Sequence, residues 1–484
     1  MNYDVIIVGG GVVGSATARA LAQYHVRVAV LEKTGDVCCG NSGRNTGLLH
    51  AGFFYAPGTH KAKFCVEGNR EHDQIAAELD LPLKRTGKLT VGSTDAERRR
   101  LEILAENGVK NGVPGIHIIE REELRAIEPN VTGEFAMVTP TSAIISPYLY
   151  AIALAENAAV NGVDYYLEHE LIASERLPGG SYRLTTSKGT FEAKWVINSS
   201  GYNADVVAEI LGTPGYRLSN SKGEYQVLDT KMGAYLSIPV YITPDENWMY
   251  DVHVTPTIDG NVLVGPTILG EKAARGEFDT TPGGQRHLNH IGHGLFPPMN
   301  SGHVIRSFAG IFPNNGGAPM TASDDYILDV REKENLIHLV GIGSPGLTSA
   351  SSLGQWVAMQ IDQREHLTKN VAFNPIRKGI VPFSQQGHET QRRMIDENPD
   401  YGEIICRCEC ITKAEIVEAL NNPLGVTNVT GIKYRTRASM GRCQGGYCEM
   451  RITALIRQLT DAKVTDVRYT GRMSYMFTGE VRTR

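Results

Sequence analysis

The chain is expected to be an α/β protein: a parallel sheet wrapped by helices, an inserted β unit that is mostly antiparallel, and a small helical C-terminal domain. Three observations carry this. The first thirty residues alternate strand, helix and strand. A run of β-rich segments without intervening helices occupies 222–267. Five of the eight cysteines crowd the last eighty residues.

The opening stretch Tyr3–Glu32 sets the architecture. Val5–Val8 is short, β-branched and without alternation, as a strand buried on both faces should be. It runs into Gly9-Gly10-Gly11-Val12-Val13-Gly14, which fits G-x-G-x-x-G. Gly9 allows the tight turn, Gly11 lets a pyrophosphate approach the backbone, and Gly14 lets helix and strand pack closely. The following helix presents free N–H groups and a partial positive charge to phosphates. A second strand ends in Glu32, about twenty residues on, where a carboxylate accepts hydrogen bonds from a ribose. Together these predict a Rossmann-type dinucleotide site, and an acid rather than an Arg-rich turn favours FAD or NAD over NADP.

The 484 residues suffice for two or three domains and a large core. A net charge of −5 gives no reason to expect nucleic acid or an anionic membrane surface as partner. No apolar run approaches the ~20 residues of a membrane span, and the first strand begins too early for a signal peptide. A cytoplasmic protein is expected, able to dock on a membrane through another subunit.

Further along, Gly40–Gly47 is a Gly- and Ser-rich loop suited to a second contact with the cofactor through Ser42, Arg44 and Asn45, and it runs into His50. Residues 61–128 read as mostly helical and charged, with a short strand near Lys88–Val91. Pro147–Val160 reads as an amphipathic helix. A strand ending at Asn198-Ser199-Ser200-Gly201 looks like a returning pass of the dinucleotide sheet. Leu336–Val340 and the turn Gly341–Ala350, with Gly343, Gly346, Leu347 and Thr348, look like another. These bound a first domain over 1–365, with the β insert inside it. Residues 366–402, rich in Pro, Gln, Asn and charge, read as a linker to a third domain over 403–484.

The first 365 residues resemble the D-amino-acid-oxidase-like superfamily of FAD oxidoreductases, glycerol-3-phosphate and L-2-hydroxyglutarate dehydrogenases above all. Ser42–Tyr55, Lys222–Tyr225, Val254–Pro266 and Gly343–Ala350 carry the likeness. The resemblance implies FAD. It implies His50 as the base that takes a hydroxyl proton, for which a neutral imidazole suits pH 7. It makes Arg306 the anion clamp, a guanidinium fork being matched to carboxylate or phosphate, with Ser344, Thr348, Ser349 and Lys222 as further contacts. Glycerol-3-phosphate dehydrogenases of this type tend to carry a basic residue just upstream of Val252. Here Met249-Tyr250-Asp251-Val252-His253 stands there, so His253, with Phe54 and Tyr55, looks more like the hydroxyglutarate enzymes.

The C-terminal stretch resembles the 2Fe–2S domain of bacterioferritin-associated ferredoxin through Cys406-Arg407-Cys408-Glu409 and Met440–Cys448. Cys406, Cys408, Cys443 and Cys448 are four thiolates, the number such a cluster needs. Zinc accepts four thiolates too, but more often with C-x2-4-C on both arms. The second arm spaces its cysteines further apart than the ferredoxin does, a length that Gly445 and Gly446 could absorb. Cys410 is an alternative ligand or packing. The expected activity is an FAD-dependent dehydrogenase of a small anionic secondary alcohol, glycerol 3-phosphate first, passing electrons through the cluster to a protein subunit. The alternatives are an L-2-hydroxyglutarate or other 2-hydroxy acid dehydrogenase, an amine or N-methyl amino acid dehydrogenase, and an electron-transfer subunit without a substrate of its own.

Overall fold

The computed structural model describes residues 2–267 and 272–479, so the last five residues of the stretch assigned to the third domain lie outside the described residues. Asn2–Val8 lies between Val28–Leu31 and Thr190–Asn198, parallel to both, with Val5 opposite Val28 and Trp195. Asp164–Tyr166 extends this parallel core beyond Val28–Leu31, and Leu336–Val340 extends it beyond Val196–Asn198. The hairpin Leu171–Arg176 and Tyr182–Thr186 and the strand Ile327–Arg331 are antiparallel additions. Val28–Leu31 and Leu336–Val340 are buried at every position, which explains their unbroken apolar runs. The strands end level: Gly9 N–H donates to Leu31 and Ser199 N–H donates to Val8. Their carboxyl ends therefore open a crevice at the glycine turn, the usual ligand position in such sheets.

Two helices cover that turn by contact too close for side chains. A Cβ on Gly14 would stand 2.0 Å from the Gly9 carbonyl oxygen, and one on Gly354 would stand 2.6 Å from the Ala16 backbone. The helices Val12–Leu21 and Gly346–Glu365 thus pack backbone to backbone. The helix Pro147–Val160 forms where expected but is not amphipathic: Tyr150 to Ala158 are buried without interruption. It is enclosed because later parts of the chain cover its outer face.

The second sheet has eight strands. Val304–Asn314 and Ser219–Leu228 pair antiparallel over their whole lengths. Val262–Val264, Val254–Pro256 and Val240–Ile242 follow, then Leu89–Gly92, Phe135–Val138 and His117–Glu120. The expected antiparallel insert is present, with one parallel pairing, between Val240–Ile242 and Leu89–Gly92. It also recruits strands from the region read as helical. His117–Glu120 is four residues long and buries fully only Ile119, too little alternation to stand out among charges.

The expected linker is fastened rather than loose. His25 and Asn370 exchange backbone bonds with Thr368 and Gln23, and a helix spans His388–Glu397. Beyond it, a hairpin (Ile404–Cys406, Ile411–Thr412) and helices Lys413–Leu420, Val429–Thr436 and Glu449–Thr460 enclose Ile405, Ile416, Val429, Ile432, Ile452 and Ile456. Thr412 and Glu415 form a capping box at the first of these helices.

Arg435 joins this domain to the first. Its guanidinium donates to Asp36 at 2.7 Å and to Glu156 at 2.8 Å, and all three side chains are at least nine-tenths buried. Arg435→Met leaves Asp36 buried without its cation, and the expected loss is about 3–5 kcal/mol. Chemical denaturation reads it as a lower midpoint, with faster proteolysis between residues 366 and 402; an unchanged midpoint contradicts the anchoring role.

Candidate active site and cluster site

A cavity of about 610 Å³ runs from the glycine turn to His50. At the turn end it is lined by Gly9, Gly11, Glu32, Ser42, Arg44, Asn45 and Gly201. Gly9 takes φ +107°, and a Cβ there would stand 2.7 Å from the Ser199 carbonyl oxygen, so the turn requires glycine. Gly14 lies behind the wall, in the packing role expected of it. Glu32 is aligned by three donors: Gly10 N–H at 2.7 Å, Thr34 N–H at 2.9 Å and the Thr34 hydroxyl at 2.7 Å. Ser42 Oγ accepts from Val12 N–H at 2.9 Å, at the start of the first helix.

Asn45 reaches the wall, but its polar atoms shape the loop. Its amide donates to the Asn41 and Ser42 carbonyls at 3.1 and 3.0 Å, and its oxygen accepts from Gly47 N–H. Asn41, which the sequence did not single out, pins this loop to the strand Val304–Asn314 by bonding both backbone groups of Ile311.

At the other end, His50 is held at several points. Its N–H donates to Thr348 Oγ1 at 2.9 Å, its carbonyl accepts from Asn69 Nδ2 at 3.0 Å, and its Nε2 stands 3.3 Å from Ser344 Oγ. Ser344 Oγ is in turn 3.3 Å from the Tyr55 hydroxyl. Burial, and secondarily the nearby Lys88 ammonium, push His50 down to about 3. The imidazole is therefore neutral throughout the physiological range. His253 also lines this end, stacked on Tyr241 with centroids 3.7 Å apart, and burial lowers it well below the usual imidazole range. Phe54 and Tyr250, centroids 5.0 Å apart, form part of the wall.

Ser344, Gly343, Gly346 and Leu347 line the cavity, as expected of the second Gly-rich turn. Four other expected contacts are placed differently. Thr348 is fully buried and spends its hydroxyl on the His50 N–H, so it holds the histidine rather than facing the cavity. Ser349 is fully buried beside Tyr326, where the helix Gly346–Glu365 meets Gly68. Its place on the helix turns it to that neighbour. Lys222 lines the cavity but is neutralised by Glu277 and Asp279.

Arg306 is the clearest correction. The strand Val304–Asn314 meets the cavity from Gly310 onward, and Arg306 sits four residues upstream, about 13 Å at strand spacing. It is exposed and donates to Gln444 Oε1 at 3.0 Å, in the C-terminal domain.

Lys88 is the residue that sequence reasoning missed. It is 2% exposed and lines the cavity, with Nζ 4.3 Å from the Phe53 ring centroid and 4.2 Å from that of Tyr241. Burial pushes its ammonium down to about 7. A lysine directly before the short apolar strand Leu89–Gly92, which is buried at every position, was the available signal.

In the C-terminal domain the four expected thiols come together. Cys406 lies in hydrogen-bond contact with Cys448, and Cys408 with Cys443. Ser439 Oγ is 3.2 Å from Cys448 Sγ. Backbone N–H groups of Cys408, Glu409 and Ser439 face Cys406, which with the Cys448 contact lower it to about 6. A Cβ on Gly441 would stand 2.3 Å from Cys408 Cβ, so glycine makes room for that cysteine. Gly445 takes φ +91° and turns the longer second arm back. Among the described residues no three metal-binding side chains converge on one point. The two thiol pairs together supply the four thiolates that a 2Fe–2S cluster takes. Cys410 turns away, its thiol donating to the Arg407 carbonyl at 3.7 Å.

Comparison with known proteins agrees with both expected cofactors. Residues 4–360 match the family model described as FAD dependent oxidoreductase, and residues 404–458 match the BFD-like [2Fe-2S] binding domain. A glycerol 3-phosphate dehydrogenase of Caloramator mitchellensis is 33% identical, over 99% of both chains. An L-2-hydroxyglutarate dehydrogenase of Indibacter alkaliphilus is 30% identical over 73% of this chain and 97% of its own. Among solved structures, the L-α-glycerophosphate oxidase of Mycoplasma pneumoniae with FAD bound is similar at TM-score 0.72 and 28% identity, covering 78% of this chain and 98% of that one. The chain belongs to the FAD dependent oxidoreductase (DAO) family, as an enzyme that uses FAD and carries a BFD-like 2Fe–2S domain.

Proposed function

We propose that the chain is a dehydrogenase that oxidises a small anionic secondary alcohol, glycerol 3-phosphate first, and sends the electrons out through its iron–sulfur domain to a protein acceptor. The observation that carries this reading is the neutral His50, held at the end of the dinucleotide cavity by Thr348 and Ser344. Gly9, Gly11 and the start of the first helix suit the pyrophosphate of FAD, and Glu32 a ribose. FAD, when bound, supplies the acceptor for the hydride that leaves the alcohol carbon. His50 Nε2 takes the hydroxyl proton as the carbonyl forms. Ser344, itself in contact with the Tyr55 hydroxyl, holds the imidazole ring, and Thr348 holds the His50 backbone. An anion bound nearby offsets the Lys88 charge, which removes one of the two causes that depress His50.

Glycerol 3-phosphate comes first because the relative named for it matches through the C-terminal domain as well as the first. L-2-hydroxyglutarate is the second reading, favoured by His253 and the Phe54–Tyr250 wall at the His50 end. Among the described residues no helix is long and apolar enough to cross a membrane. A cytoplasmic enzyme, reaching a membrane only through its electron-accepting partner, is consistent with that.

Anaerobic reduction of the bound flavin tests the reading across glycerol 3-phosphate, L-2-hydroxyglutarate, lactate and sarcosine. The expected outcome is bleaching by glycerol 3-phosphate fastest, with His50→Ala slowing it about 10²-fold or more. Bleaching by sarcosine alone, untouched by His50→Ala, points instead to amine oxidation. If no compound bleaches the flavin, the enzyme reading fails. Cys408→Ser is expected to leave flavin reduction by substrate intact while abolishing turnover with a one-electron protein acceptor. Full turnover in air with matching peroxide release contradicts the exit through the cluster.

A further inference from the structure

The basic side chains on the cavity wall differ in what balances them. Lys61 pairs with Asp324 at 2.5 Å, and Lys222 is neutralised by Glu277 and Asp279. Arg44 and Lys33 stand over the Phe278 and Tyr202 rings, 4.1 and 5.5 Å from their centroids, at the glycine-turn end. Lys88 has no carboxylate partner among the described residues. Its Nζ faces the rings of Phe53, Tyr241 and Tyr250, and its charge is felt by both His50 and His253. Cys65, the one group whose charge would favour the ammonium, is a thiol pushed up by burial and so uncharged.

The backbone at this position is rigid. Lys88 N–H donates to Thr139, and its carbonyl accepts from Thr139 N–H at 2.9 Å. The side chain is therefore aimed by backbone pairing at the start of an interior strand. A buried ammonium without a counter-charge is costly, and such groups gather where a ligand completes them. The aromatic faces hold the cation in place without satisfying its three donors.

We propose that Lys88 binds the charged group of the substrate, in the role the sequence reading gave to Arg306, and so sets the preference for anionic over neutral alcohols. This rests on the reading of the His50 end as the reacting end. A single compact ammonium accepts either a phosphate or a carboxylate. The anion needs the protonated lysine, which is present below pH 7 and lost as pH rises through it. The groups facing it do not titrate in that window: His50 and His253 are held neutral, and the Cys65, Tyr241 and Tyr250 protons are retained. Affinity for a carboxylate, which stays ionised across this range, is accordingly flat below pH 7 and falls above it, about tenfold per pH unit at the limit.

The test uses the FAD-loaded enzyme and its Lys88→Met and Lys88→Arg variants. Anaerobic flavin reduction is followed against concentration with glycerol 3-phosphate, L-2-hydroxyglutarate and uncharged glycerol, and inorganic phosphate is titrated against the flavin spectrum. Lys88→Met is expected to raise half-saturation for the anionic substrate about 10- to 100-fold, narrow the preference for it over uncharged glycerol, abolish the phosphate-induced spectral shift and flatten the alkaline limb. Lys88→Arg is expected to restore part of the anion preference. Wild-type anion affinity in Lys88→Met, or loss of FAD content without a change in anion preference, overturns the assignment. If no alcohol reduces the wild-type flavin, the reading of the reaction has failed separately. The phosphate titration then decides Lys88 alone: a shift lost in Lys88→Met upholds it, and one that survives overturns it.

Discussion

One loop, 40–52, fixes the relation between the two ends of the cavity. Asn41 fastens it to the strand Val304–Asn314, Ser42 to the first helix, and the His50 N–H to Thr348 on the helix Gly346–Glu365. Each of these elements is in turn placed by the parallel sheet and by glycine contacts that admit no side chain. The distance from dinucleotide cradle to imidazole is thus set by backbone geometry. A loop held in this way loses little conformational freedom on binding.

Burial decides the charge of the reacting end. Desolvation is the first cause lowering His50, His253 and Lys88 alike. Repulsion from Lys88 adds to it for both histidines, while the rings of Phe53, Tyr241 and Tyr250 surround the ammonium in place of protein carboxylates. The result is a site with neutral bases and a labile cation, which an incoming anion completes. At the iron–sulfur end, contact with Cys448 and then backbone N–H groups turned toward Cys406 favour its thiolate, the form that binds metal, while the same contact raises Cys448.

Local spacing made much of this legible in the sequence. Gly9, Gly11, Gly14 and Glu32 are read within one βαβ unit, and Cys406, Cys408, Cys443 and Cys448 within one small domain, because each set owes its geometry to near neighbours. His50 followed from the Gly-rich loop only with the help of a family resemblance. Arg306 was misplaced because the sequence does not reveal where along an eleven-residue strand the cavity begins. Lys88 fell within an expected short strand, but the sequence did not reveal that this strand pairs with Val240–Ile242, about 150 residues later, in the sheet that buries the lysine against the cavity. Thr348 and Ser349 sit side by side, and only helix rotation gives one to His50 and the other to a helix interface. The long-range bonds of the segment 366–402 were not legible in its composition, because polar residues that make such bonds resemble those that make none.

In the proposed function, electrons pass from an alcohol at His50 to the cysteines of the C-terminal domain, which Arg435 joins to the first. Electron paramagnetic resonance on the anaerobic holoenzyme, frozen after mixing with less than one equivalent of glycerol 3-phosphate or L-2-hydroxyglutarate, tests that flow most directly. The account predicts the signal of a reduced 2Fe–2S cluster rising as the flavin bleaches. A bleached flavin beside a cluster that stays oxidised contradicts it.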